Sequence, residues 1–491
     1  MKLLANICRI LVGSLFIVSG LIKANDPLGF SYKLEEYFEN GALAFRVRNM
    51  LGWDSFSLEF LMEYALTIAI IMCALEIILG FSLLFGTRIK ITVISLLSLT
   101  ILFFFLTLHT ATCDPTADYN QNTTLAVGSP EYTRMMTRIE EGNPIDIIEE
   151  NEKEVVFQEK LPVQCVTDCG CFGDAMKGSL GRSLTPWESF NKDLILMILL
   201  IPVFLQRKKL KYNNLREDAI ILIPAFALVG FYSWVFDWYF PLLFAALGVG
   251  GYMALKPLIK SVIMQFVPIV FITIISLVLI QYTYTHLPIR DYRAYAVGKN
   301  IPEQMVLPEG AEPDVYENIF FYKNKTTGKV EEFTENNYPW DDENYEFSDR
   351  QTKLIKAGDH PAITDFTMIG EDGNDYAQDY LNEPGYIFMV IAYDIRKTDL
   401  STYKKINTFA DQCNVDGNYV IGLTASLQGE VEKLKKEQQT NIDFFSCDAI
   451  TLKTIVRANP GVVLIKEGNV LAKWSANQLP DYKIIKETYL K

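Results

Sequence analysis

The chain has 491 residues, with 45 Lys and Arg against 59 Asp and Glu, and a formal net charge of −14. This balance argues against a nucleic acid partner, whose phosphates would be repelled rather than neutralised. Apolar residues make up 50% of the chain, too many for a disordered protein and suggestive of membrane segments. Residues 1–285 hold 22 bases and 26 acids, whereas the rest hold 23 and 33 without a long apolar run. The sequence predicts a membrane half followed by an acidic soluble half.

Seven stretches of the first half are candidate membrane-spanning helices. A helix needs about 20 mainly apolar residues to cross about 30 Å of hydrocarbon. The fourth candidate is short and the sixth is rich in glycine, so these two carry the weakest signal. The predicted spans are Leu4–Ile22, Leu61–Phe85, Ile89–Thr110, Leu194–Leu205, Ala219–Phe236, Tyr239–Leu255 and Val262–Tyr284.

Loop charges predict the orientation of these spans. Lysine and arginine concentrate in three loops that fall on one side if the N-terminus is cytoplasmic, whereas the loop 111–186 has 13 acids and 6 bases. The first span is predicted to stay uncleaved, since Leu21-Ile22-Lys23-Ala24 is a poor signal-peptide cleavage site. We therefore predict a membrane domain over 1–286, with everything after His286 on the outer side. The bases concerned are Arg88, Lys90, Arg207, Lys208, Lys209, Lys211, Arg216, Lys256 and Lys260.

The soluble half divides into a linker over 287–313, a small β-rich subdomain over 314–358 and an α/β domain over 359–491. In the subdomain, alternating residues on both sides of a turn at 325–328 predict a β-hairpin. In the α/β domain, Pro460 directly precedes a predicted strand and is a candidate for a cis peptide bond. Strands are predicted at Ile363–Ile369, Tyr386–Tyr393, Tyr419–Ala425, Val462–Ile465 and Val470–Lys473, and helices at 400–412, 427–438, 449–457 and 480–489.

The cluster Cys165, Cys169 and Cys171 is the sharpest chemical feature of the sequence. Cys169 and Cys171 are separated only by Gly170, so a bond between them closes a small, strained ring that is comparatively easy to reduce. Cys113 follows the third span and can meet the cluster at the same membrane surface. These four thiols would allow a relay in which one pair exchanges with a soluble partner and the other passes electrons to an acceptor in the bilayer.

Two other interpretations of the same cysteines stay open. Cys113 and Cys165 could form a structural disulfide that ties down the long loop. Cys165, Cys169, Cys171 and His109 could bind a metal ion, although their spacing is not a common zinc pattern.

The remaining cysteines carry a weaker signal. Cys413 and Cys447 are interpreted as buried small residues or one structural disulfide, with a relocated redox pair as the alternative. Cys8 and Cys73 lie in predicted spans and are interpreted as packing residues.

Glu76 is an ionisable residue well inside the second predicted span. Such a group costs at least ~2.5 kcal/mol unless it is paired or protonated, so it marks a candidate site. Arg9 and Lys23 are its nearest formal partners in sequence, and a structural ion pair, a neutral carboxyl group and a proton-handling role all stay open. His109 could carry protons near the thiols or be an interfacial residue.

Residues 361–491 resemble the thioredoxin-like superfamily in its membrane-tethered form. The resemblance rests on the lead-in 360–366, the strand 388–393 and the segment 459–470 around Pro460. At the end of the second strand, where that family places Cys-x-x-Cys, this chain reads Tyr393-Asp394-Ile395-Arg396-Lys397. Without a thiolate there, the domain cannot exchange thiols at the usual site.

Residues 1–206 resemble the DoxX family and its MauE-type redox-associated branch. The matching motifs are 9–27, the Glu76-Ile77-Ile78-Leu79-Gly80 segment, and 168–174 leading to Thr185-Pro186-Trp187. The resemblance implies a bacterial inner-membrane protein with a four-helix core, a periplasmic C-terminal domain, and electron transfer between thiols and a membrane quinone. Carried over residue by residue, the resemblance implies a redox role for Cys169 and Cys171. The chain departs from it by an acidic insert of about fifty residues, interpreted as a solvated flap or a docking surface, and by spans five and six.

Two functions follow as competing hypotheses. The first is a membrane thiol oxidoreductase acting on exported or periplasmic proteins, with Cys169 and Cys171 in exchange, Cys165 and Cys113 in relay, and quinone as electron acceptor. The second is a non-catalytic assembly or chaperone subunit, associated with other inner-membrane subunits, whose thioredoxin-like domain binds exported polypeptide. No dedicated metal motif, phosphate-binding loop or hydrolase triad stands out.

Overall fold

The computed structural model describes residues 2–53, 55–151, 153–166, 170, 172–259, 261, 263–307, 310–356 and 358–490. The chain forms two compact units, Met1–Arg293 and Ala294–Lys491. The first is mainly helical, and the second contains two β-sheets.

The first unit is built from eleven described α-helices and one small sheet. The helices are α1 (Lys2–Asn25), α2 (Pro27–Phe38), α3 (Phe45–Leu51), α4 (Ala65–Phe85), α5 (Ile89–Ala111), α6 (Pro130–Glu140), α7 (Gly173–Leu180), α8 (Pro186–Gln206), α9 (Leu215–Val235), α10 (Phe240–Leu255) and α11 (Phe266–His286). The strands are β1 (Asp118–Ala126), β2 (Ile145–Glu150) and β3 (Glu154–Pro162).

Within the described residues, six helical segments are long and apolar enough to cross a membrane, so the chain is a membrane protein. They correspond to predicted spans one to three and five to seven. The predicted fourth span lies in α8, a 21-residue helix that is not among these six. The six segments are Lys2–Asn25, Glu59–Phe85, Ile89–Ala111, Leu215–Val235, Phe240–Leu258 and Ile263–His286.

One end of the helical bundle collects the ends of α1, α5 and α11 and the start of α8. The Thr107 hydroxyl of α5 donates to Asp193 Oδ2 of α8 at 3.1 Å. The Thr283 hydroxyl of α11 donates to the carbonyl of Ala24 at 2.6 Å. We call this the cysteine end, because Cys113 follows α5 there.

The other end collects the start of α1, the end of α4, the start of α9 and the end of α10. Arg9 Nη2 of α1 donates to the carbonyl of Leu83 at 2.9 Å, and Lys256 pairs with Asp218 of α9. We call this the basic end, because the Lys-rich and Arg-rich loops of the bundle lie there. The ends of the bundle are therefore defined by hydrogen bonds between helices and not by sequence order.

Helix α8 runs from the cysteine end to the basic end. Asp193 lies in its second turn beside α5, and in the loop after it the Asn213 amide donates to the carbonyl of Phe85 at 3.4 Å. At about 1.5 Å per residue, 21 residues extend roughly 30 Å, which matches the hydrocarbon thickness. The chain thus crosses the bundle in α8, which follows α5 and precedes α9 in the sequence.

The acidic insert after Cys113 is a folded element that contains a three-stranded sheet and α6. The sheet has the order β1-β3-β2, with both pairs antiparallel. Val155 and Phe157 of β3 are buried beneath α6, which covers them with Tyr132 and Met135. Val155 and Phe157 are two residues apart and therefore lie on the same face of the strand, as in a half-buried strand.

The second unit begins with a short helix and a three-stranded antiparallel sheet. The elements are α12 (Ile301–Gln304), β4 (Val315–Asn324), β5 (Val330–Thr334) and β6 (Tyr345–Lys356), in the order β5-β4-β6. The predicted hairpin is confirmed as the β4–β5 pair. Strand β6 was not predicted, because polar residues interrupt its alternation.

A mixed five-stranded sheet forms the rest of the second unit, in the order β11-β10-β7-β8-β9. Strand β7 pairs in parallel with β8 and antiparallel with β10. Helices on both sides bury its apolar residues, among them Phe388, Val390 and Leu464. The elements are α13 (Ala377–Leu381), β7 (Tyr386–Ile391), α14 (Tyr403–Val415), β8 (Tyr419–Thr424), α15 (Gln428–Gln438), β9 (Asp443–Ser446), α16 (Ala449–Ile455), β10 (Gly461–Lys466), β11 (Asn469–Ser475) and α17 (Tyr482–Tyr489).

In the domain of the five-stranded sheet, one predicted strand is wrong and one strand was missed. Ile363–Ile369 is not a strand: only Ile369 forms bridges, to Asp375 and to Ser446. The missed strand is β9, whose four residues are too few for a clear alternation. The cis peptide bond predicted at Pro460 is confirmed.

Candidate functional site

The candidate site is built where α1 and α4 cross at short distance. A Cβ added to Gly20 of α1 would lie 2.9 Å from the Cβ of Glu76, and one added to Gly80 would lie 2.9 Å from the carbonyl of Gly13. Small residues allow two helices to approach this closely in a membrane. The crossing places Lys23, near the end of α1, directly beside Glu76.

Lys23 and Glu76 form a buried ion pair. Lys23 Nζ lies 2.8 Å from Oε1 and 2.9 Å from Oε2 of Glu76, and it donates to Ser19 Oγ at 2.8 Å. Both side chains are at most 3% exposed. The rings of Phe30 and Phe103 lie 5.6 and 5.1 Å from the ammonium group. Of the two partners that the sequence offered for Glu76, the structure selects Lys23, whereas Arg9 lies at the basic end.

A second ion pair faces the same space from α8. Lys192 Nζ lies 2.8 Å from Asp193 Oδ1, and Asp193 is 1% exposed. Both pairs line a small cavity of about 20 Å³, which Phe103 and Phe172 close on two sides. A cavity of this size holds about one water molecule. The site thus has two carboxylates and two ammonium groups around a space suited to water.

A disulfide joins Cys113 to Cys165, with their Cα atoms 5.7 Å apart. This pairing is one of those that the sequence left open. The disulfide holds the end of the insert, at Cys165, next to the residue Cys113 that follows α5. Because Cys165 is in this disulfide, it has no thiolate to offer a metal ion, and among the described residues no cluster of three metal-ligating side chains occurs. The metal interpretation is therefore wrong as it was formulated.

Cys169 and Cys171 lie outside the described residues, but the positions around them are described. Val166 is buried. Gly170 has a φ of +62°, and a Cβ there would lie 3.3 Å from the side chain of Lys33. Phe172 is buried, with its ring 5.5 Å from Lys192 Nζ. The residues before, between and after the two cysteines are thus packed against the cysteine end, and Phe172 reaches the charged cavity.

His109 is buried near the same end. Its Nδ1 accepts a hydrogen bond from Arg46 Nε at 3.1 Å, which requires an unprotonated Nδ1. Its Nε2 has no hydrogen-bond partner among the described residues. Burial lowers the pKa of Arg46 below its ordinary value, although the guanidinium stays charged at neutral pH.

The cysteines of the second unit are buried and do not pair. Cys413 and Cys447 are both free thiols, 0% and 5% exposed. Burial raises the pKa of Cys447 to about 12, and it also raises that of Cys413. Neither is a thiolate at neutral pH, so the alternative of a relocated redox pair is not supported. Cys8 and Cys73 are likewise free and buried, as predicted for packing residues.

The segment after β7 has no thiol chemistry. Asp394 begins a short helical turn, Ile395–Lys397, by accepting from the Arg396 amide at 3.0 Å. Arg396 also pairs with Glu430 at 3.5 Å. Asn459, just before Pro460, donates its side-chain amide to the carbonyl of Asp394 at 2.8 Å. The loop with Pro460 is therefore adjacent to the segment after β7. The side chains in that segment are the carboxylate of Asp394 and the guanidinium of Arg396, and neither is a thiol.

Sequence reasoning missed Lys192 and Asp193. The available signal was that these two charged residues directly precede the apolar run of the short fourth predicted span, within the same helix α8. Arg46 was also missed, because no pattern in the sequence relates it to His109.

Comparisons with known proteins match parts of the chain. A family described as a domain of unknown function (DUF8463) matches residues 316–357, which is the β4–β6 sheet. No curated protein matches the chain.

Two solved structures resemble a quarter of the chain. One is the solution structure of a thiol:disulfide interchange protein from Bacteroides sp., 14% identical, covering 26% of this chain and 86% of that one with a TM-score of 0.22. The other is the crystal structure of the thioredoxin domain of a thiol-disulfide oxidoreductase from Bacteroides vulgatus, 14% identical, covering 25% and 90% with a TM-score of 0.21. TM-scores this low carry no argument about the function of this chain.

Proposed function

We propose that this chain is a membrane-embedded thiol–disulfide redox protein that acts on exported polypeptides, with Cys169 and Cys171 as the exchanging pair. The observation that carries the proposal is the packing of Gly170 and Phe172 at the cysteine end, where Phe172 lines the cavity of the two ion pairs. Phe172, the residue after Cys171, is held beside the buried carboxylates of Glu76 and Asp193, and charges buried in a membrane cost free energy to maintain.

A disulfide between Cys169 and Cys171 takes two electrons and two protons from two thiols of the polypeptide, whose sulfurs become a disulfide. Reoxidation returns two electrons and two protons to an acceptor, which we propose to be a membrane quinone, reduced to the quinol. In this proposal Cys113 and Cys165 act as the relay pair. Glu76 and Asp193 lie where protons released by the thiols could be held in the cavity.

The finer topology belongs to the same proposal. Seven spans are supported by α8, which runs from one end of the bundle to the other. A cytoplasmic N-terminus is supported by the gathering of basic loops at one end. We propose a DoxX-like or MauE-like protein of the bacterial inner membrane, with its second unit in the periplasm. The order of β11, β10, β7 and β8 supports a thioredoxin-like domain.

A second candidate function is a non-catalytic assembly or chaperone subunit that works with other inner-membrane subunits. The observation that favours it is the absence of a usable thiol in the described part of the second unit, where Cys413 and Cys447 are buried and Asp394 and Arg396 follow β7. Under this proposal the second unit binds exported polypeptide and does no redox chemistry.

Trapping free thiols by alkylation in cells, followed by the substitution of both Cys169 and Cys171 by Ser, separates the two functions. We expect the two thiols to change redox state with the supply of oxidant, and the double variant to lose at least ~100-fold in polypeptide oxidation. Substituting Cys413 and Cys447 by Ser is the matched control and should leave this rate unchanged. If Cys169 and Cys171 never change redox state and their loss leaves envelope disulfides intact, the subunit function is favoured.

A further inference from the structure

Strand β1 differs from the other edge strands described in the three sheets. Strand β2 has a register shift and ends on Glu149 and Glu150. Strand β5 carries Glu331 and Glu332, and β6 has two register shifts against β4. Charges and bulges of this kind prevent an edge from pairing with another chain.

The edges of the five-stranded sheet are covered. Ile369 exchanges two backbone hydrogen bonds with Ser446 of β9. Val470 of β11 donates to the carbonyl of Lys299 at 2.9 Å and accepts from Gly298 at 2.8 Å. In contrast, β1 pairs with β3 without a register shift from Asp118 to Ala126, and Asp118 is its one charged residue.

The backbone groups of β1 that point away from β3 can be identified. Val163 donates to the carbonyl of Ala117, and Val127 donates to the carbonyl of Lys153. Ala117 and Val127 therefore face β3, and so do the odd-numbered residues between them, since the register is continuous. Asp118, Asn120, Asn122 and Thr124 point their N–H and C=O groups outward. None of these outward groups has a hydrogen-bond partner in the described part of the chain.

A groove of about 890 Å³ runs along this edge. Residues 118–122 of β1 all line it, and since their side chains alternate between the two faces of the sheet, the groove follows the length of β1. Gln158 of β3 lines it beside Asn122. Its opposite wall comes from the region of α3 and the loop after it, with Asn40, Arg48, Asn49, Ser55 and Ser57. The described lining combines polar side chains with the rings of Phe45, Phe56 and Tyr119, and its charged residues are Arg48 and Asp118.

The walls of the groove are fixed. Arg48 donates to the carbonyls of Asn40 and Phe56 at 2.6 and 3.2 Å, and its guanidinium lies 5.6 Å from the ring of Tyr119. Tyr119 is buried, and burial raises its pKa. A Cβ at Gly41 would lie 2.7 Å from that ring, so only glycine allows the wall to approach β1 this closely. The groove is thus open while its two walls are held in place.

We propose that this groove binds an extended segment of another polypeptide, which adds to β1 as a further strand. A polypeptide backbone is the ligand that presents alternating donors and acceptors at the spacing of the outward groups of β1. Asn and Ser side chains on the opposite wall can bond the second edge of such a strand. A groove lined by the amides of Asn40, Asn49 and Gln121 favours the peptide backbone over a particular side chain.

The position of the groove indicates which polypeptide it binds, and this identification of the partner rests on the proposed redox function. Asp118 pairs with Pro162, so the strand pair leads directly to Cys113 on one side and to Cys165 on the other. A bound segment would lie next to the part of the chain that bears the exchanging thiols. The partner is therefore a cysteine-containing segment of an unfolded exported polypeptide.

Binding can be measured apart from thiol chemistry. The probe is a fluorescent peptide of alternating Thr and Val with one central Cys blocked by alkylation, titrated onto the full chain in lipid nanodiscs. A second version carries N-methyl groups on alternate amides, which removes its donors to the strand edge. We expect the N-methylated probe to bind roughly five- to tenfold more weakly per donor lost. Equal binding of both probes would overturn strand addition.

A matched pair of variants locates the binding. Asn120→Pro removes an outward N–H inside the groove, whereas Thr124→Pro removes an outward N–H of the same strand beyond it. We expect weaker binding in N120P and unchanged binding in T124P, with the Cys113–Cys165 disulfide intact in both. Equal weakening in both variants, or competition by an oligosaccharide but not by unlabelled peptide, would overturn the proposal.

The two proposals fail separately. Substituting Cys169 and Cys171 by Ser should abolish polypeptide oxidation and leave binding of the alkylated probe unchanged. Probe binding that persists with no oxidation in the unaltered chain would overturn the redox function alone. Oxidation without any probe binding would overturn the groove alone.

Discussion

The two ends of the helical bundle both bury charged groups, but they use them differently. At the basic end, Arg9 donates to the carbonyls of Leu83 and Leu84 and to Asn213 Oδ1, at 2.9 to 3.2 Å. Asp218 accepts from Asn213 and Tyr252 at 3.2 and 3.0 Å. At the cysteine end, the Lys23–Glu76 and Lys192–Asp193 pairs instead line a cavity.

The difference indicates which charges hold the fold and which are available for chemistry. The guanidinium of Arg9 satisfies the carbonyls at the end of α4, which have no partner within their own helix. Gly86 ends that helix with a φ of +72°, and a Cβ there would lie 2.7 Å from the carbonyl of Lys211. At the basic end, the charged groups are therefore engaged in hydrogen bonds that join the helices. At the cysteine end, the ion pairs line a small cavity.

The largest effect should come from separating the Lys23–Glu76 pair. Glu76→Gln or Lys23→Met alone leaves one charge buried without its partner and should cost about 3–5 kcal/mol of unfolding free energy. The double variant K23M/E76L buries no charge and should return to within about 1 kcal/mol of the original chain. Thermal unfolding in detergent measures this coupling.

Oxidation of a polypeptide by the double variant then tests the role of the pair. We expect the rate to fall although the fold is restored, because the carboxylate is lost from the cavity. An unchanged rate in the stable double variant would mean that the pair is only structural, like the basic end.

An intermediate effect is expected at the basic end. Arg9→Lys keeps the charge but loses the planar fork that reaches both carbonyls, and it should lower the unfolding free energy by about 2–3 kcal/mol. Polypeptide oxidation per folded molecule should stay unchanged. A loss of oxidation without a loss of stability would contradict the division between the two ends.

The smallest effect is expected in the second unit, at Cys447. Its folded pKa of about 12 lies above its ordinary value of 9.0, so the folded state holds the proton more tightly. The stabilisation is present below pH 9 and is lost as the pH rises towards 12. Cys447→Ala should cost about 1 kcal/mol at neutral pH, and the difference between the two chains should shrink over that alkaline range.

Alkylation provides an independent measurement. Cys447 should resist alkylation in the folded chain at neutral pH and react once the chain unfolds. Rapid modification of Cys447 in the folded protein would contradict the burial of this thiol and would reopen a redox role for the second unit.

The sequence alone carried the elements that depend on local pattern. Apolar runs of the right length predicted the long helices, because a membrane span must satisfy its backbone within one segment. Glu76 marked a site because a charge at that depth needs a reason to be there. The β4–β5 hairpin and the cis bond at Pro460 also follow from neighbouring residues. The domain bounds within the second unit and the catalytic role of the thiols stay predictions.

What only the tertiary structure decided is the set of partners. Lys23 and Arg9 were both candidate partners of Glu76. The close crossing at Gly20 brings Lys23 to Glu76, because Arg9 lies near the other end of α1. Lys192 and Asp193 joined the site only because α8 packs antiparallel to α5. The free edge of β1 depends on which strand its neighbour is and on what lies beyond it. Contacts between residues far apart in the chain are set by packing, which local sequence pattern does not encode.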